Sequence, residues 1–224
     1  MRRGILVLLA LVSSHAFASL SPKPVAADSQ LSSRFALSGG MGVEYISVPD
    51  VVDFINASIA VFTTQRVSEF KSSVQFFGAL AYPLSEDWVL KGEYAYVLVS
   101  YAPNIPGRSS EFTLAVHMPS LVLQYVLWDE RLYNIKAGIG FGYHVASLVV
   151  SYPGVDNRLT GKGIGSVIDL EANTAFGDHL FAYLGADLRW EFIGKMDGRT
   201  QGIIPLPTGN AFSTGARLGF SYYF

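Results

Sequence analysis

The side chains of this 224-residue chain whose types and spacing bear on chemistry are four histidines, the serines near two of them, and charged residues at alternating positions. Serine-based nucleophilic catalysis needs a base within hydrogen-bond reach and a carboxylate that orients the base. Along the chain the nearest approximations are His117 with Ser120 and His144 with Ser147. Neither matches well, and both histidines fall on the parity expected to face the lumen, so both are expected to be structural or to sit at a rim, and the chain is not expected to be an enzyme. His15 falls in an N-terminal apolar segment and His179 in a short turn. No His and carboxylate cluster has metal-ligand spacing and no phosphate-binding loop follows a strand, so no metal or cofactor is expected. The absence of Cys removes disulfides, thiolate metal centres and lipoprotein acylation.

The charges form the second set. Arg34, Glu44, Lys71, Lys91, Glu93, Glu111, Lys136, Asp169, Glu171, Asp187, Arg189, Glu191 and Arg217 share one parity of alternating segments, opposite the large apolar residues. If that parity faces a narrow interior, these groups must pair, because an isolated buried charge is costly. A salt-bridged plug is the plain reading, and a small gated ion path is the sharper one.

Alternation identifies the elements that position these groups. In one stretch Leu180, Ala182, Leu184, Ala186, Leu188, Trp190 and Phe192 oppose Tyr183, Gly185, Asp187, Arg189 and Glu191. The same test predicts eight strands, near 34–48, 68–82, 87–101, 110–127, 132–147, 163–176, 180–193 and 210–224. Turns after the second, fourth and sixth strands are short. The connections 49–67, 102–109, 148–162 and 194–209 are longer, and this alternation is what transmembrane barrels show. In the fourth strand the apolar parity changes from Phe112, Leu114 and Val116 to Leu121, Leu123, Tyr125 and Leu127, which predicts a bulge at Pro119.

Composition agrees with an apolar outside. Half of the residues are hydrophobic and 15% are charged, whereas soluble domains carry about a quarter charged residues. An eight-stranded barrel is just wide enough for side chains to fill it, so so many large residues must face outward and leave a polar, Gly-rich lumen. Aromatics at the strand ends form two expected rings: Phe35, Tyr82, Trp88, Tyr133, Phe176 and Tyr222 on the short-turn side, and Tyr45, Phe70, Phe112, Tyr143, Trp190 and Phe212 on the other. Residues 1–18, with Arg2 and Arg3, an apolar run over 5–12 and Ala16-Phe17-Ala18, read as a cleaved secretory leader. Residues 19–33 read as a flexible periplasmic lead-in, and 34–224 as the barrel. A net charge of −2 without a basic run argues against nucleic acid.

The chain resembles the small eight-stranded outer-membrane barrels of Gram-negative bacteria, the OmpX and OmpA-barrel type. Leu218, Phe220, Tyr222 and the final Phe224 carry that resemblance, together with Trp88 after the Pro83 turn and the Gly138, Gly140 and Gly142 series. It implies an antiparallel up-and-down transmembrane β-barrel in the cell outer membrane, with the terminal residues as the signal read by the barrel assembly machinery. It also implies contact with outer-membrane lipid and lipopolysaccharide. The chain departs from two-domain members by ending at its last strand. Lipid A deacylases of similar size use a Ser/His/Glu set, which this sequence matches poorly. The apolar loop residues Phe54, Ile55, Ile59 and Phe62, with Ile203 and Ile204, are expected either to pack on one another or to contact a ligand or extracellular partner. The first loop has three open conformations: extended strands, a short amphipathic helix at the rim, or a fold over the mouth. The expected protein is a structural or interaction barrel with a closed, charge-paired lumen; a narrow channel for small or hydrophobic solutes is the alternative.

Overall fold

The computed structural model describes residues 31–60, 66–67, 72–103, 110–152, 155–198 and 205–224. The leader, the lead-in up to residue 30, and Phe62, Phe70, Lys71, Ile203 and Ile204 lie outside the described residues.

Eight long strands form one antiparallel ring: β1 (Ala36–Ser47), β2 (Ser73–Pro83), β3 (Trp88–Tyr101), β4 (Glu111–Asp129), β5 (Tyr133–Tyr152), β6 (Val155–Ala175), β7 (Leu180–Ile193) and β9 (Ala211–Tyr223). The ring closes where β1 pairs with β9, from Ala36↔Tyr223 to Ser47↔Phe212. Closure leaves no open edge whose backbone groups would go unpaired. A two-residue strand, β8 (Asp197–Gly198), pairs with Leu159 and Thr160 of β6 near the long-loop end.

Alternation assigns the faces. Large apolar side chains such as Leu37, Leu80, Leu121, Phe141, Leu184 and Leu218 stand exposed on the outer wall, while the neighbouring parity is buried. All six short-turn aromatics and Tyr143, Trp190 and Phe212 stand outward with them. Phe112 does not: it is fully buried inside.

Two expectations about the strands need correction. β5 and β6 do not stop at a long loop over 148–162 but continue as a paired hairpin through Leu148↔Leu159 and Val150↔Asn157. Their lengths, 20 and 21 residues, are about twice the 9–11 that a membrane crossing needs. The predicted bulge at Pro119 is also absent. Burial alternates without a break from Phe112 to Val126, and the register shifts instead between Val126 and Trp128. The apolar parity changes at Pro119 because the inside changes character there, not because the strand turns over. Above that level the interior is apolar.

The occupant of that apolar end is α1 (Pro49–Ile59). Proline at the start suits a first helical turn, where its missing N–H costs nothing. Val51, Val52, Phe54, Ile55 and Ile59 make one apolar face, with spacing appropriate to a helix buried on one side. That face packs in a single cluster with Val97 and Val99 of β3, Phe112, Leu114 and Val116 of β4, and Leu148 and Val150 of β5. Asp50, Asp53 and Ala57 are exposed on the opposite face. The Asn56 side chain anchors the returning chain through Nδ2 to Val67 O (2.9 Å) and by accepting from Val67 N (2.8 Å). The helix therefore packs inside the mouth of the ring. At the short-turn end Ala36, Ala81, Val89, Val126, Phe181 and Tyr223 form a second small cluster. Ser32, in a short 3-10 turn (Leu31–Ser33), ties the N-terminal side to that end by donating its N–H to Asp129 Oδ2 at 3.0 Å.

Placing α1 in the mouth has a direct consequence for stability. Ile55→Ala, in a fully buried position, is expected to cost about 2–5 kcal/mol, read as a lower urea midpoint of the refolded barrel. Asp53→Ala, on the exposed face, is expected to leave the midpoint unchanged; equal midpoints for the two variants would contradict the placement.

Candidate functional site

Between the two apolar ends lies a layer of buried charge. Lys91 Nζ meets Asp169 Oδ2 at 2.6 Å, Glu93 Oε2 at 3.2 Å and Glu171 Oε2 at 3.3 Å. Lys136 Nζ meets Glu171 Oε1 at 2.6 Å. Arg217 donates through Nη1 to Glu93 Oε2 at 2.8 Å and through Nη2 to Asp169. Arg189 reaches Glu93 and Asp187. Gln124 Nε2 donates to Asp169 (2.7 Å) and Glu171 (3.0 Å), and Asn173 Nδ2 donates to Glu171 (2.8 Å). Contributors come from β3, β4, β5, β6, β7 and β9, so the layer spans the lumen and links opposite walls. The Arg217 guanidinium also lies over the Phe77 ring, 5.1 Å from its centre, joining the charged layer to the apolar region above.

Not every charge on the expected parity joins this layer. Arg34 sits at the short-turn rim, where Nε donates to Phe224 O at 2.8 Å and Nη2 approaches His179 Nδ1 at 2.9 Å. Glu111 lies on the outer face beside Ser100, whose hydroxyl donates to it at 2.6 Å; without a bulge at Pro119, its parity points away from the lumen. Among the described residues the buried interior holds Glu44, Glu93, Asp169, Glu171, Asp187 and Glu191 against Lys91, Lys136, Arg189 and Arg217. Acids exceed Lys and Arg by two. Glu191 has His144 as its partner, and Glu44 has no cation within ion-pair distance among the described residues.

The histidines are distributed differently from the spacing along the chain. His117 faces outward, and its Nδ1 lies 2.6 Å from Tyr94 Oη, not beside Ser120. Ser120 belongs instead to His144. Register explains why. Ser120, Gly142, Gly165 and Glu191 form one row across β4, β5, β6 and β7. Two glycines in that row leave a gap, and the ring of His144, two residues along β5, fills it. A Cβ on Gly142 would come within 2.5 Å of Ser120 Oγ and 2.7 Å of His144 Nε2, and one on Gly165 would strike the His144 ring. Thus His144 bridges the row: Nδ1 hydrogen-bonds Glu191 Oε2, and Nε2 lies 3.2 Å from Ser120 Oγ. A carboxylate only accepts, so Nδ1 donates to Glu191, and Nε2 faces the Ser120 hydroxyl. This serine, base and carboxylate constellation was missed because its members are 24 and 47 residues apart. Glycines inside strands were the available signal, since they mark close approach. Among the described residues no three His, Cys, Asp or Glu side chains are grouped to hold a metal ion.

Of the apolar loop candidates, Phe54, Ile55 and Ile59 are committed to the interior cluster and are not free contact residues. Leu218, Phe220, Tyr222 and Phe224 are exposed on the outer wall.

The ionic layer predicts unequal responses to neutralising single carboxylates. Glu93→Gln leaves Lys91, Arg189 and Arg217 undercompensated and is expected to lose about 3–5 kcal/mol in urea unfolding. Glu44→Gln removes a charge that has no cation within ion-pair distance among the described residues and is expected to hold or raise the midpoint. A Glu44→Gln loss as large as that of Glu93→Gln would contradict the pairing.

Comparison with known proteins places the architecture. No family model matches the chain, and no curated protein matches it. Solved structures do. Neisserial surface protein A superposes with a TM-score of 0.54 at 15% identity, covering 85% of this chain and 97% of that one. Ail, the attachment invasion locus protein of Yersinia pestis, gives 0.52 at 9% identity over 85% and 99%. The outer-membrane protein OprG of Pseudomonas aeruginosa gives 0.51 at 12% identity over 86% and 96%. At these identities the likeness is one of fold. The chain thus has the fold of the small eight-stranded outer-membrane barrels, the OmpX and OmpA-barrel type.

Proposed function

We propose that this protein is an integral barrel of the bacterial outer membrane with a sealed lumen, and that it acts structurally and through contacts at its outer face. The observation that carries the reading is double closure: a buried ion-paired layer crosses the lumen, and α1 fills the mouth above it. The exposed apolar wall with aromatics at both ends suits lipid. Short turns then face the periplasm, and the long β4, β5 and β6 extensions with α1 stand on the outside. The expected route is export through the leader over 1–18 and recognition of the Leu218, Phe220, Tyr222 and Phe224 series by the barrel assembly machinery. Outer-membrane lipid and lipopolysaccharide would contact the wall, and an extracellular partner would meet the polar face of α1 and the loop ends.

The alternative, a narrow path for small or hydrophobic solutes, draws on the apolar upper lumen, but α1 occupies that space. Conductance separates the two. Planar bilayers holding the folded protein are expected to show no steady single-channel steps, even when Ile55→Asp unseats the helix, because the ionic layer remains. Steady steps in the unaltered protein that vanish on changing Arg217 or Glu171 would overturn the sealed-lumen reading.

A further inference from the structure

An apolar groove of about 690 Å³ runs along the lipid-facing side of β1 to β5. Leu37, Leu80, Leu121 and Phe141 wall it, and the outward-facing Gly78 and Gly92 form its floor. Packing within the chain requires neither glycine. A Cβ on Gly78 would meet nothing closer than Ser38 O at 4.0 Å, and one on Gly92 nothing closer than Leu121 Cδ2 at 4.0 Å. The inward glycines differ, since a Cβ on Gly142 or Gly165 would strike its neighbours. Glycine weakens a strand, so these two positions hold open a depression that a large apolar side chain could fill.

Polar groups stand directly above the groove. Tyr94 and Tyr143 line the end nearest the long loops. One step further along the strands, Tyr96, His117, Val145 and Lys162 form an outward row across β3, β4, β5 and β6. His117 Nδ1 lies 2.6 Å from Tyr94 Oη and its ring packs on that of Tyr96, 4.8 Å between centres, so the imidazole is held at the mouth of the groove. Lys162 is exposed and has no ion-pair partner among the described residues. The outward residues of β6 below it are Ile164, Ser166, Ile168 and Leu170, so Lys162 is the first charge above the apolar belt on that strand. Beyond this row Thr113, Ser147 and Thr160 face outward on the β4 to β6 extension, with Arg158 among them. Asp197, opposite Thr160, adds one acid beside them.

We propose that this face seats one phosphorylated glycolipid of the outer leaflet, with an acyl chain in the groove, a phosphate against Lys162 and His117, and its sugars along the hydroxyl-bearing extension. The site rests on the outer-membrane reading above and narrows its lipid contact to one place. Each part of the face selects part of the occupant. An apolar depression at lipid depth takes a chain, because every methylene buried there adds to binding. A cation at headgroup level draws an anion, and the Lys162 stem can lie along the apolar wall while its ammonium group reaches that level. A phospholipid ends where Lys162 stands. The polar outer face of β4, β5 and β6 continues beyond it, and only a lipid with a large sugar headgroup covers both.

The test uses the full mature chain, folded and heat-modifiable, in vesicles of phosphatidylethanolamine and phosphatidylglycerol that also contain a short-core lipopolysaccharide at the same mole fraction as the phosphatidylglycerol. Mild detergent extraction and native mass spectrometry then read which lipid stays bound. The expected result is one lipopolysaccharide per barrel in preference to phosphatidylglycerol. Enzymatic removal of its phosphates lowers retention about fivefold or more, and Lys162→Ala lowers it about fivefold. Gly92→Leu fills the groove with a side chain that has room, so it lowers retention while leaving the urea midpoint unchanged. Leu184→Ala, on the outer wall of β7, leaves retention unchanged. Equal retention of the two lipids, equal retention after phosphate removal, or equal retention by Gly92→Leu and the unaltered protein overturns the site. Insertion without selective retention overturns the site alone, whereas a chain that does not insert overturns the outer-membrane reading and the site together. The lipid comparison is read on the unaltered protein, so a variant that fails to fold does not blunt it.

Discussion

The width of an eight-stranded ring is the constraint on which the rest of this structure depends. Such a ring leaves an interior that side chains just fill, so each inward residue meets others from the opposite wall. A charge placed there cannot be solvated and must be answered across the lumen, as Arg217 answers Glu93 and Asp169. An apolar stretch there must be covered, and β4 and β5 present Phe112, Leu114, Leu148 and Val150 to α1 for that reason. Even the imidazole of His144 exists inside only because Gly142 and Gly165 give up their side-chain volume.

The interior is therefore layered. A small apolar cluster around Phe181 and Tyr223 occupies the short-turn end, the ionic layer lies across the middle, and the helix-capped apolar region closes the long-loop end. Each layer solves the same problem with different chemistry. Breaking an ionic contact strands a charge, whereas truncating an apolar one opens a cavity, so the two kinds of layer fail differently. The outer wall carries little of this information, because lipid accepts most large apolar side chains there.

Much of this was legible from alternation alone. Strand number, facing and closure follow from period two in segments such as 180–192, where Leu184 and Leu188 stand outward and Asp187 and Arg189 inward. Alternation fails where both faces change character together. At Pro119 the inside turns apolar, which mimics a bulge, and at 148–162 the strands run on beyond the apolar belt, so a polar outer face reads as loop. The helix over 49–59 was visible as anomalous hydrophobicity, but its seat is set by long-range packing that no local pattern encodes. The same holds for Ser120 with His144: they meet through cross-strand register, and the chain order suggested Ser147 for His144.

In the reading proposed above the lumen is closed from within, with α1 seated inside the mouth instead of riding above it. Amide hydrogen exchange of the folded barrel tests this most directly. The amides of Val51 to Ile59 are expected to exchange slowly, with protection approaching that of the neighbouring strands β3 and β4, and Ile55→Asp is expected to remove this protection while the strands keep theirs. Exchange of the 51–59 amides at the rate of an unstructured peptide, in a barrel whose strands are fully protected, would contradict it.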